Sequence, residues 1–382
     1  MEESARLARL QDAQPAMLDD LRALVTCESP SSDPVATARC ADVVAEIGLR
    51  LLRAAPERGE IDGRPHLIWR FGQRPTVLLL GHLDTVWPLG SLQRHPFAVG
   101  DGIVTGPGCY DMKAGLVQLL HALAVLPDRR GVTVLITSDE EIGSPSSRPL
   151  IEAEARLADA ALVLEASGDG HAGALKTARK GVSVFWLHVT GLAAHAGLEP
   201  ERGANAAVEL AHQILAVAAL GDADLQTSVT PSLAAAGTTT NTVPDRASVS
   251  IDVRAFTVAE QRRVAGALSA LRPAVPGTSV RVEIGEQRPP LPPAASSALY
   301  ERARLAATRL CLPPLTCVAV GGGSDGNVTA GVGTPTLDGL GAVGGGAHAD
   351  DEHVLVGQLP VRAALLSELI EDLLFPPSGR WS

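Results

Sequence analysis

Acidic and histidine side chains stand close together at several points of this sequence. His82 and Asp84 are two residues apart in GHLDTV, and Glu140 and Glu141 are adjacent in SDEEIGSP. A spacing of two places both side chains on the same side of an extended chain, where a carboxylate can hold the far ring nitrogen of a metal-binding histidine. Taken alone, a histidine–aspartate pair is more often structural, and an acidic cluster is more often a solvated turn.

Three further positions offer the same kinds of ligand atom. Asp111 precedes a predicted helix in GPGCYDMKAG, where a helix N-cap is the simpler interpretation. Glu165 ends the apolar run of LVLEAS, and a carboxylate there is costly to bury unless it is paired or ligated. His348 has small neighbours in GGGAHADDEH. Imidazole and carboxylate ligands favour zinc, with cobalt or manganese possible, and two ions bridged by one carboxylate are usual in hydrolytic sites.

The segments around these residues predict an α/β fold. Apolar runs at 76–82, 132–137 and 161–167 alternate with helical patterns that begin near Asp33 and Met112. Continuous apolar strands between helices indicate a mostly parallel sheet that is covered on both faces. Because the carboxyl ends of such strands line one crevice, we expect the candidate ligands to meet there.

The pattern changes near Lys180, where strands become alternately polar and apolar. The predicted elements are a strand (182–190), a helix (203–219), two strands (about 229–239 and 247–256), a helix (258–271) and a strand (279–285). This β-α-β-β-α-β order is the ferredoxin-like arrangement, and its length suits an inserted domain. The proline-rich 288–294 then predicts a linker back. The chain is therefore predicted to divide into 1–179, 180–289 and 290–382.

Composition limits the classes of partner. The net charge of −11 and the 3% aromatic content argue against nucleic acid and anionic membranes as partners. The sequence has no secretory signal at its N-terminus and no run of 18 apolar residues, so no membrane partner is expected. Five scattered cysteines without a CxxC pair fit reduced thiols, so the predicted location is the cytoplasm.

A glycine-rich tract covers residues 321–353. It contains no GxxxxGK[ST] motif, and the third glycine of its GxGxxG is not followed by a clear helix, so nucleotide binding is disfavoured. The expected use of these glycines is a close approach of the backbone to a small ligand or ion.

In order, GHLDTV, GPGCYDMKAG, SDEEIGS, LVLEAS, GLAAHAG and HADDEHV resemble the di-zinc metallopeptidase family of aminoacylases and glutamate carboxypeptidases. The chain is most similar to the bacterial glutamate carboxypeptidases of this family that cleave folate-type amides, from about residue 20 to about residue 375. The resemblance implies a catalytic domain with a mostly parallel sheet, formed by 1–179 and 290–382. It also implies that 180–289 is a ferredoxin-like lid through which the protein forms a homodimer.

The resemblance implies two zinc ions, for which cobalt or manganese could substitute, and it assigns their ligands. Asp111 would bridge the ions. His82 and Glu165 would complete one metal site, and Glu141 and His348 would complete the other.

The resemblance also implies three catalytic residues beside the metal ligands. Asp84 would orient His82, and Glu140 would be the general base that takes a proton from the attacking water and passes it to the leaving nitrogen. His195, in GLAAHAG, would reach across the dimer to stabilise the oxyanion. From the sequence alone, His195 is simply a loop histidine near a helix start.

Four positions match the substrate side of the family's site. Arg254, in SIDVRAF, would bind the free carboxylate of the substrate, as an arginine–carboxylate fork does. Without the resemblance, Arg254 is the polar partner in an alternating strand. Asn241, in TTTNTVP, and Gly323 and Ser324, in GGGSDGN, would also contact the substrate.

The predicted activity is metal-dependent hydrolysis of an amide bond, which releases a C-terminal amino acid, preferably glutamate, from N-acyl amino acids or short peptides. One alternative is a deacylase of the N-acetyl-ornithine or N-acyl-diaminopimelate type. An alternative of another class is a binding protein that has kept the fold but lost activity. That protein would lack a metal ligand or the base, and this sequence retains all of them.

Overall fold

The computed structural model describes residues 2–375, which divide into two units. Unit 1 comprises residues up to 178, residues 291–320 and those from 324 onward, and unit 2 comprises 179–290 and 321–323. Among the described residues, no helix combines the length and the apolar character needed to cross a membrane.

The described residues form ten α-helices and sixteen strands. The helices are α1 (Glu2–Asp12), α2 (Gln14–Thr26), α3 (Pro34–Leu52), α4 (Ala114–Ala124), α5 (Arg148–Leu157), α6 (Ala206–Ala218), α7 (Val258–Ser269), α8 (Pro293–Arg309), α9 (Asp325–Gly331) and α10 (Gln358–Leu374). The strands are β1 (Glu57–Ile61), β2 (Arg64–Phe71), β3 (Val77–His82), β4 (Ala98–Gly100), β5 (Ile103–Thr105), β6 (Val132–Thr137), β7 (Ala160–Val163), β8 (Leu175–Arg179), β9 (Gly181–Thr190), β10 (Ser228–Ala236), β11 (Arg246–Ala255), β12 (Ser279–Arg288), β13 (Cys317–Val320), β14 (Thr336–Leu337), β15 (Gly344–Gly345) and β16 (His353–Leu355).

Unit 1 is built around a six-stranded sheet in the order β1-β2-β6-β3-β7-β14. Strands β6, β3, β7 and β14 are parallel, whereas β1 and β2 add an antiparallel hairpin at one edge. In β3, Val77 and Leu79 join a core with residues of α2, α3, α4 and α10, while Leu78 and Leu80 join a second core with residues of α5 and α9. The predicted mostly parallel sheet with two covered faces is therefore confirmed.

Two predicted boundaries in unit 1 need correction. The helix expected from Met112 begins at Ala114, because Asp111 and Met112 have non-helical backbone angles (φ −115°, ψ 97° and φ −128°, ψ 30°). The strand expected at 161–167 ends at Val163, so Glu165 lies in the loop that follows. Both candidate ligands are thus presented by irregular backbone next to a regular element.

Unit 2 contains an antiparallel sheet in the order β10-β11-β9-β12. Helices α6 and α7 contribute to its core through Leu210 and Val264, which cluster with Phe185 and Leu187 of β9. The six elements follow the predicted β-α-β-β-α-β order, which is the ferredoxin-like topology. The proline-rich linker is shorter than expected, because Arg288 still belongs to β12.

Candidate metal centre

The first group of predicted ligands meets at the end of strand β3. All six residues of β3 are buried, and His82 is the last of them. Its Nε2 atom lies 3.5 Å from Oδ1 of Asp111 and 3.4 Å from Oε1 of Glu165. One imidazole nitrogen and two carboxylate oxygens therefore converge on a single point.

The second group uses the other oxygen of the same aspartate. Nε2 of His348 lies 3.4 Å from Oδ2 of Asp111 and 3.2 Å from Oε2 of Glu141. The backbone of His348 is left-handed (φ 63°), a conformation that residues other than glycine adopt rarely and often at functional sites. The two groups thus share Asp111, with one oxygen directed to each.

The donors fit transition-metal ions. Two ligands of one tetrahedral zinc ion lie roughly 3.3 Å apart, given metal–ligand bonds of about 2.0–2.2 Å, and the four separations above are close to that value. Within residues 2–375, Nε2 of His82, Oδ1 of Asp111 and Oε1 of Glu141 are buried and have no hydrogen-bond partner. Because burying unpaired polar atoms is costly, their convergence fits a site made for cations.

The ionisation of these groups leads to the same conclusion. Burial alone would lower the pKa of His82, but its interactions with Asp111, Asp84 and Glu165 raise this pKa well above the usual value. Contacts with Asp111 and Glu141 raise the pKa of His348 to about 10. Without metal, the surrounding carboxylates therefore favour the protonated form of both imidazoles, and bound cations would balance the same negative charge.

Asp84 connects His82 to the acidic turn. Nδ1 of His82 lies 3.0 Å from the backbone oxygen of Asp84 and 3.5 Å from its Oδ1. The fully buried Asp84 carboxylate also accepts the backbone N–H groups of Glu140 and Glu141, each at 3.2 Å, and the hydroxyl of Ser31 at 2.6 Å. The Asp84 carboxylate thus helps to fix the position of the His82 ring and of the backbone that carries Glu140 and Glu141.

The neighbouring residues Glu140 and Glu141 both lie near His82, but each also has a neighbour that the other lacks. Glu141 faces His348, as described above, and burial raises its pKa. A carboxylate oxygen of Glu140 lies within 4.8 Å of ligand atoms of His82 and Glu165, and one of Glu141 lies within 4.8 Å of ligand atoms of His82 and Asp111. Glu140 is therefore close enough to the first group to act on a molecule bound there.

The sequence motifs assign no role to Asp139, the acid that precedes Glu140. The structure buries it completely and surrounds it with donors: the backbone N–H groups of Ser146 and Ser147 at 2.7 and 3.2 Å, and their hydroxyls at 2.7 and 2.5 Å. Asp139 therefore anchors the acidic turn from within. The two serines, seven and eight residues later, were the only available signal.

A buried lysine was also missed. Lys113 is 1% exposed, and its Nζ donates to the backbone oxygens of Leu24 and Cys27 at the end of α2, at 2.9 and 3.0 Å. A cation is favourable there, because the carbonyls at a helix C-terminus carry partial negative charge. Lys113 thereby ties the Asp111 segment to α2.

Gly341, in the glycine-rich tract, lies against backbone. A Cβ at Gly341 would lie 2.1 Å from the backbone oxygen of Leu164, and one at Gly115 in α4 would lie 2.2 Å from the same oxygen. The two glycines thus leave room for the backbone at Leu164, next to Glu165. An approach of the tract to a small ligand or ion stays a prediction.

In unit 2, two of the predicted residues are neighbours. His195 pairs with Thr242 in an isolated antiparallel bridge, and the N–H of Ala196 donates to the backbone oxygen of Asn241 at 2.9 Å. Nδ1 of His195 accepts the N–H groups of Gly197 and Leu198 at 3.1 and 3.2 Å. In the neutral ring the proton must then reside on Nε2, which makes Nε2 a hydrogen-bond donor.

Arg254, in β11, is already paired within unit 2. Its Nε lies 2.8 and 3.0 Å from the carboxylate oxygens of Asp252, and its Nη2 lies 2.9 Å from Oδ2. Nη1 makes no hydrogen bond to the described residues. Arg254 therefore keeps one edge of its guanidinium group for another acceptor.

The two predicted positions after β13 have structural partners. The backbone oxygen of Gly323 accepts from Nη1 of Arg179 at 3.2 Å. The buried Ser324 is the N-cap of α9: its hydroxyl accepts from the N–H of Gly326 and donates to Asp338 at 2.6 Å. Their substrate contacts stay predictions, and the Ser324 hydroxyl is occupied by the cap.

Comparison with known proteins places the chain in a family. Residues 78–372 match the model of Peptidase family M20/M25/M40. Carboxypeptidase G2 of Pseudomonas sp. (strain RS-16) is 31% identical over 387 residues, which cover 95% of this chain and 90% of that protein. Succinyl-diaminopimelate desuccinylase of Rhizorhabdus wittichii is 27% identical, with coverage of 95% and 99%. The solved structure of aminopeptidase PepT from Bacillus cereus has a similar fold, with a TM-score of 0.73, 24% identity and coverage of 95% and 99%. This chain therefore belongs to peptidase family M20/M25/M40.

Proposed function

We propose that this protein is a di-zinc metallo-carboxypeptidase that releases a C-terminal amino acid, preferably glutamate, from N-acyl amino acids or short peptides. The observation that carries the proposal is the carboxylate of Asp111, whose two oxygens face His82 and His348 separately. Membership in a peptidase family and the similarity to carboxypeptidase G2 support it.

Two bound ions would polarise the scissile carbonyl and lower the pKa of a water molecule. His82 and Glu165 would hold one ion, Glu141 and His348 the other, and Asp111 both. Zinc suits these nitrogen and oxygen donors, and cobalt or manganese would also fit them.

Glu140 would act as the general base. It would accept a proton from the attacking water and deliver it to the leaving nitrogen, so that carboxylate and free amine replace the amide. Its closeness to His82 and Glu165 supports this role, as does its backbone hydrogen bond to Asp84, which also holds His82. Asp84 would thereby position the base and the first histidine together.

Unit 2 would recognise the substrate and act as the lid. Nε2–H of His195 would donate to the developing oxyanion across a homodimer formed through 180–289, and its tautomer supports a donor role. The open edge of Arg254 would bind the free carboxylate of the substrate. Asn241, Gly323 and Ser324 would line the substrate, with Ser324 contributing backbone because its hydroxyl caps α9.

A desuccinylase-type deacylase is the second candidate. The 27% identity to a succinyl-diaminopimelate desuccinylase over 95% of this chain favours it. An inactive binding protein is less well supported, because His82, Asp111, Glu141, Glu165, His348 and Glu140 are all retained. For the location we propose the cytoplasm, which the five unpaired cysteines support.

Parallel hydrolysis assays test the proposal. The zinc-loaded protein is given a folate analogue, N-acyl-glutamates, N-succinyl-diaminopimelate and N-acetyl-ornithine, and the released amino acid is quantified. We expect glutamate to be released fastest. Turnover of only the basic N-acyl substrates would favour the deacylase, and no turnover with fewer than about two bound ions would favour the binder.

A further inference from the structure

Glu352 is a buried acid that no step of the proposed reaction uses. It is 3% exposed. Its Oε1 accepts the backbone N–H groups of Tyr110 and Asp111 at 2.9 and 3.0 Å. Its Oε2 accepts the N–H of Gly108 at 2.9 Å and the indole N–H of Trp87 at 2.7 Å. Each carboxylate oxygen therefore has two donors.

Three of these four donors belong to the backbone of one short segment, residues 108–111. A carboxylate bound to main-chain N–H groups fixes the path of the chain itself, independently of the side chains in that segment. The last of the three is the N–H of Asp111, next to the Cα that carries the shared carboxylate. Glu352 thus contacts the backbone from which the Asp111 side chain reaches both groups of ligands.

The same segment is fixed on other sides by other contacts. The hydroxyl of Tyr110 donates to the backbone oxygen of Ser167 at 2.6 Å, and Lys113 binds the end of α2. Gly108 has φ 71°, and a Cβ there would lie 2.4 Å from Cγ2 of Thr85, so the turn before Asp111 has no room for a side chain. Of these anchors, only Glu352 bonds to the backbone of Asp111.

Glu352 also follows His348 by four residues, so one segment supplies both a ligand and the support for the bridging ligand. The N–H of Ala349 donates to the oxygen of Gly346 at 2.9 Å, and the N–H of Glu352 donates to the oxygen of Ala349 at 3.0 Å. These bonds fold the segment back on itself. The placement of His348 and that of Asp111 are thereby linked through Glu352.

We propose that Glu352 is a positioning residue that holds Asp111 between the two metal sites. It is not a ligand, because both of its oxygens are fully used by N–H donors. This inference rests on the proposed metal site. In this proposal, Glu352 of HADDEHV orients the carboxylate of Asp111 that the two metal sites share.

The test compares metal affinity in Glu352→Gln and the wild type. The substituted side chain keeps its size, but in either amide orientation an NH₂ group faces two N–H donors. We expect the dissociation constants of both ions to rise roughly 10- to 100-fold, as for other residues that orient metal ligands. The control Asp351→Asn removes the adjacent exposed acid, and its dissociation constants should stay within about two-fold of the wild type.

A second comparison asks whether Glu352 acts through Asp111. In the background of Asp111→Asn, the Glu352→Gln substitution should cause little further loss of affinity, because the carboxylate that Glu352 aims is already gone. Fully additive losses, or wild-type affinity in Glu352→Gln, would overturn the inference. Wild-type metal binding in Asp111→Asn would instead contradict the proposed metal site.

Hydrogen exchange in the wild type tests the same contacts without a variant. The amide hydrogens of Tyr110 and Asp111 should exchange slowly in both metal-loaded and metal-free protein, because Glu352 binds them in either case. Rapid exchange of these two amides in the metal-free protein would overturn the inference, even if Glu352→Gln did not fold.

Discussion

Nε2 of His348 lies 3.4 Å from Oδ2 of Asp111, the oxygen that His82 does not face. A single carboxylate therefore has one oxygen in each of two ligand groups. It follows that the two groups cannot be altered independently through Asp111, whereas His82 and His348 each affect one of them.

The adjacent glutamates should have separable effects. Glu140→Ala should retain about two metal ions while turnover falls roughly 100- to 10,000-fold, because only the general base is lost. Glu141→Ala should also weaken metal binding, because its Oε2 lies 3.2 Å from Nε2 of His348. Metal content and turnover are measured on both purified variants. Equal metal loss in the two would contradict the division of roles.

The metal-free protein should show a histidine-dependent pH effect. Contacts with Asp111 and Glu141 raise the pKa of His348 to about 10. A raised pKa stabilises the fold fully below the unfolded-state pKa of about 6.5, and this stabilisation is lost as pH rises through the folded-state value. His348→Ala should therefore lower the Tm at about pH 6 and have progressively less effect up to about pH 10.

The control for this effect is His212→Ala, which removes an exposed histidine of α6. The difference in Tm between His212→Ala and the wild type should not decrease between about pH 6 and about pH 10 in the way expected for His348→Ala. In the wild type, added zinc should raise the Tm more as the pH increases, because it competes with fewer protons. A His348→Ala difference that grew toward high pH would contradict the assigned contacts.

Arg254 should control affinity for the substrate carboxylate. The guanidinium group of Arg254 binds Asp252 through Nε and Nη2 and keeps Nη1 for another acceptor. Arg254→Lys keeps the positive charge, but a lysine cannot make both sets of contacts. Loss of a charged hydrogen bond of about 1.5–3 kcal/mol predicts a KM roughly 10- to 150-fold higher. The control is the same substrate with its α-carboxylate converted to an amide, on which the variant and the wild type should be alike. A similar increase in KM on both substrates would contradict binding of the substrate carboxylate by Arg254.

Two glycines should be intolerant of a methyl group. In Gly115→Ala or Gly341→Ala, the new Cβ would meet the backbone oxygen of Leu164 at 2.2 or 2.1 Å. The free energy of unfolding should fall by about 1–3 kcal/mol, as in other overpacked sites. The control Gly266→Ala, where a Cβ has open space within α7, should raise it by about 0.5–1 kcal/mol. Denaturant unfolding of the metal-free variants measures all three, and unchanged midpoints for Gly115→Ala and Gly341→Ala would contradict the packing.

The positions of the strand ends were predictable, because the sequence shows both the apolar runs and the acidic or histidine residues at or just after their ends. His82 ends the fully buried strand β3, and Glu140 and Glu165 come shortly after β6 and β7 of the same sheet. The β1–β2 hairpin is also marked in the sequence. Its turn is Asp62–Gly63, with φ values of 51° and 74°, and an Asp-Gly pair is typical of such a turn.

The supporting acids could not be identified in the same way. Glu352 binds backbone N–H groups, and no side-chain pattern in residues 108–111 encodes such a partner. Asp139 likewise looks like part of a solvated cluster until the chain brings Ser146 and Ser147 around it. Long-range contacts to main-chain atoms depend on the whole fold, whereas the residues that can bind a metal are visible in short sequence motifs.

The most direct test is anomalous diffraction from crystals of the zinc-loaded protein at the zinc absorption edge. Two peaks per chain are predicted, one beside His82 and Glu165 and one beside Glu141 and His348, with Asp111 in contact with both. A single peak, or peaks away from these residues, would contradict the di-zinc site on which the proposed activity depends.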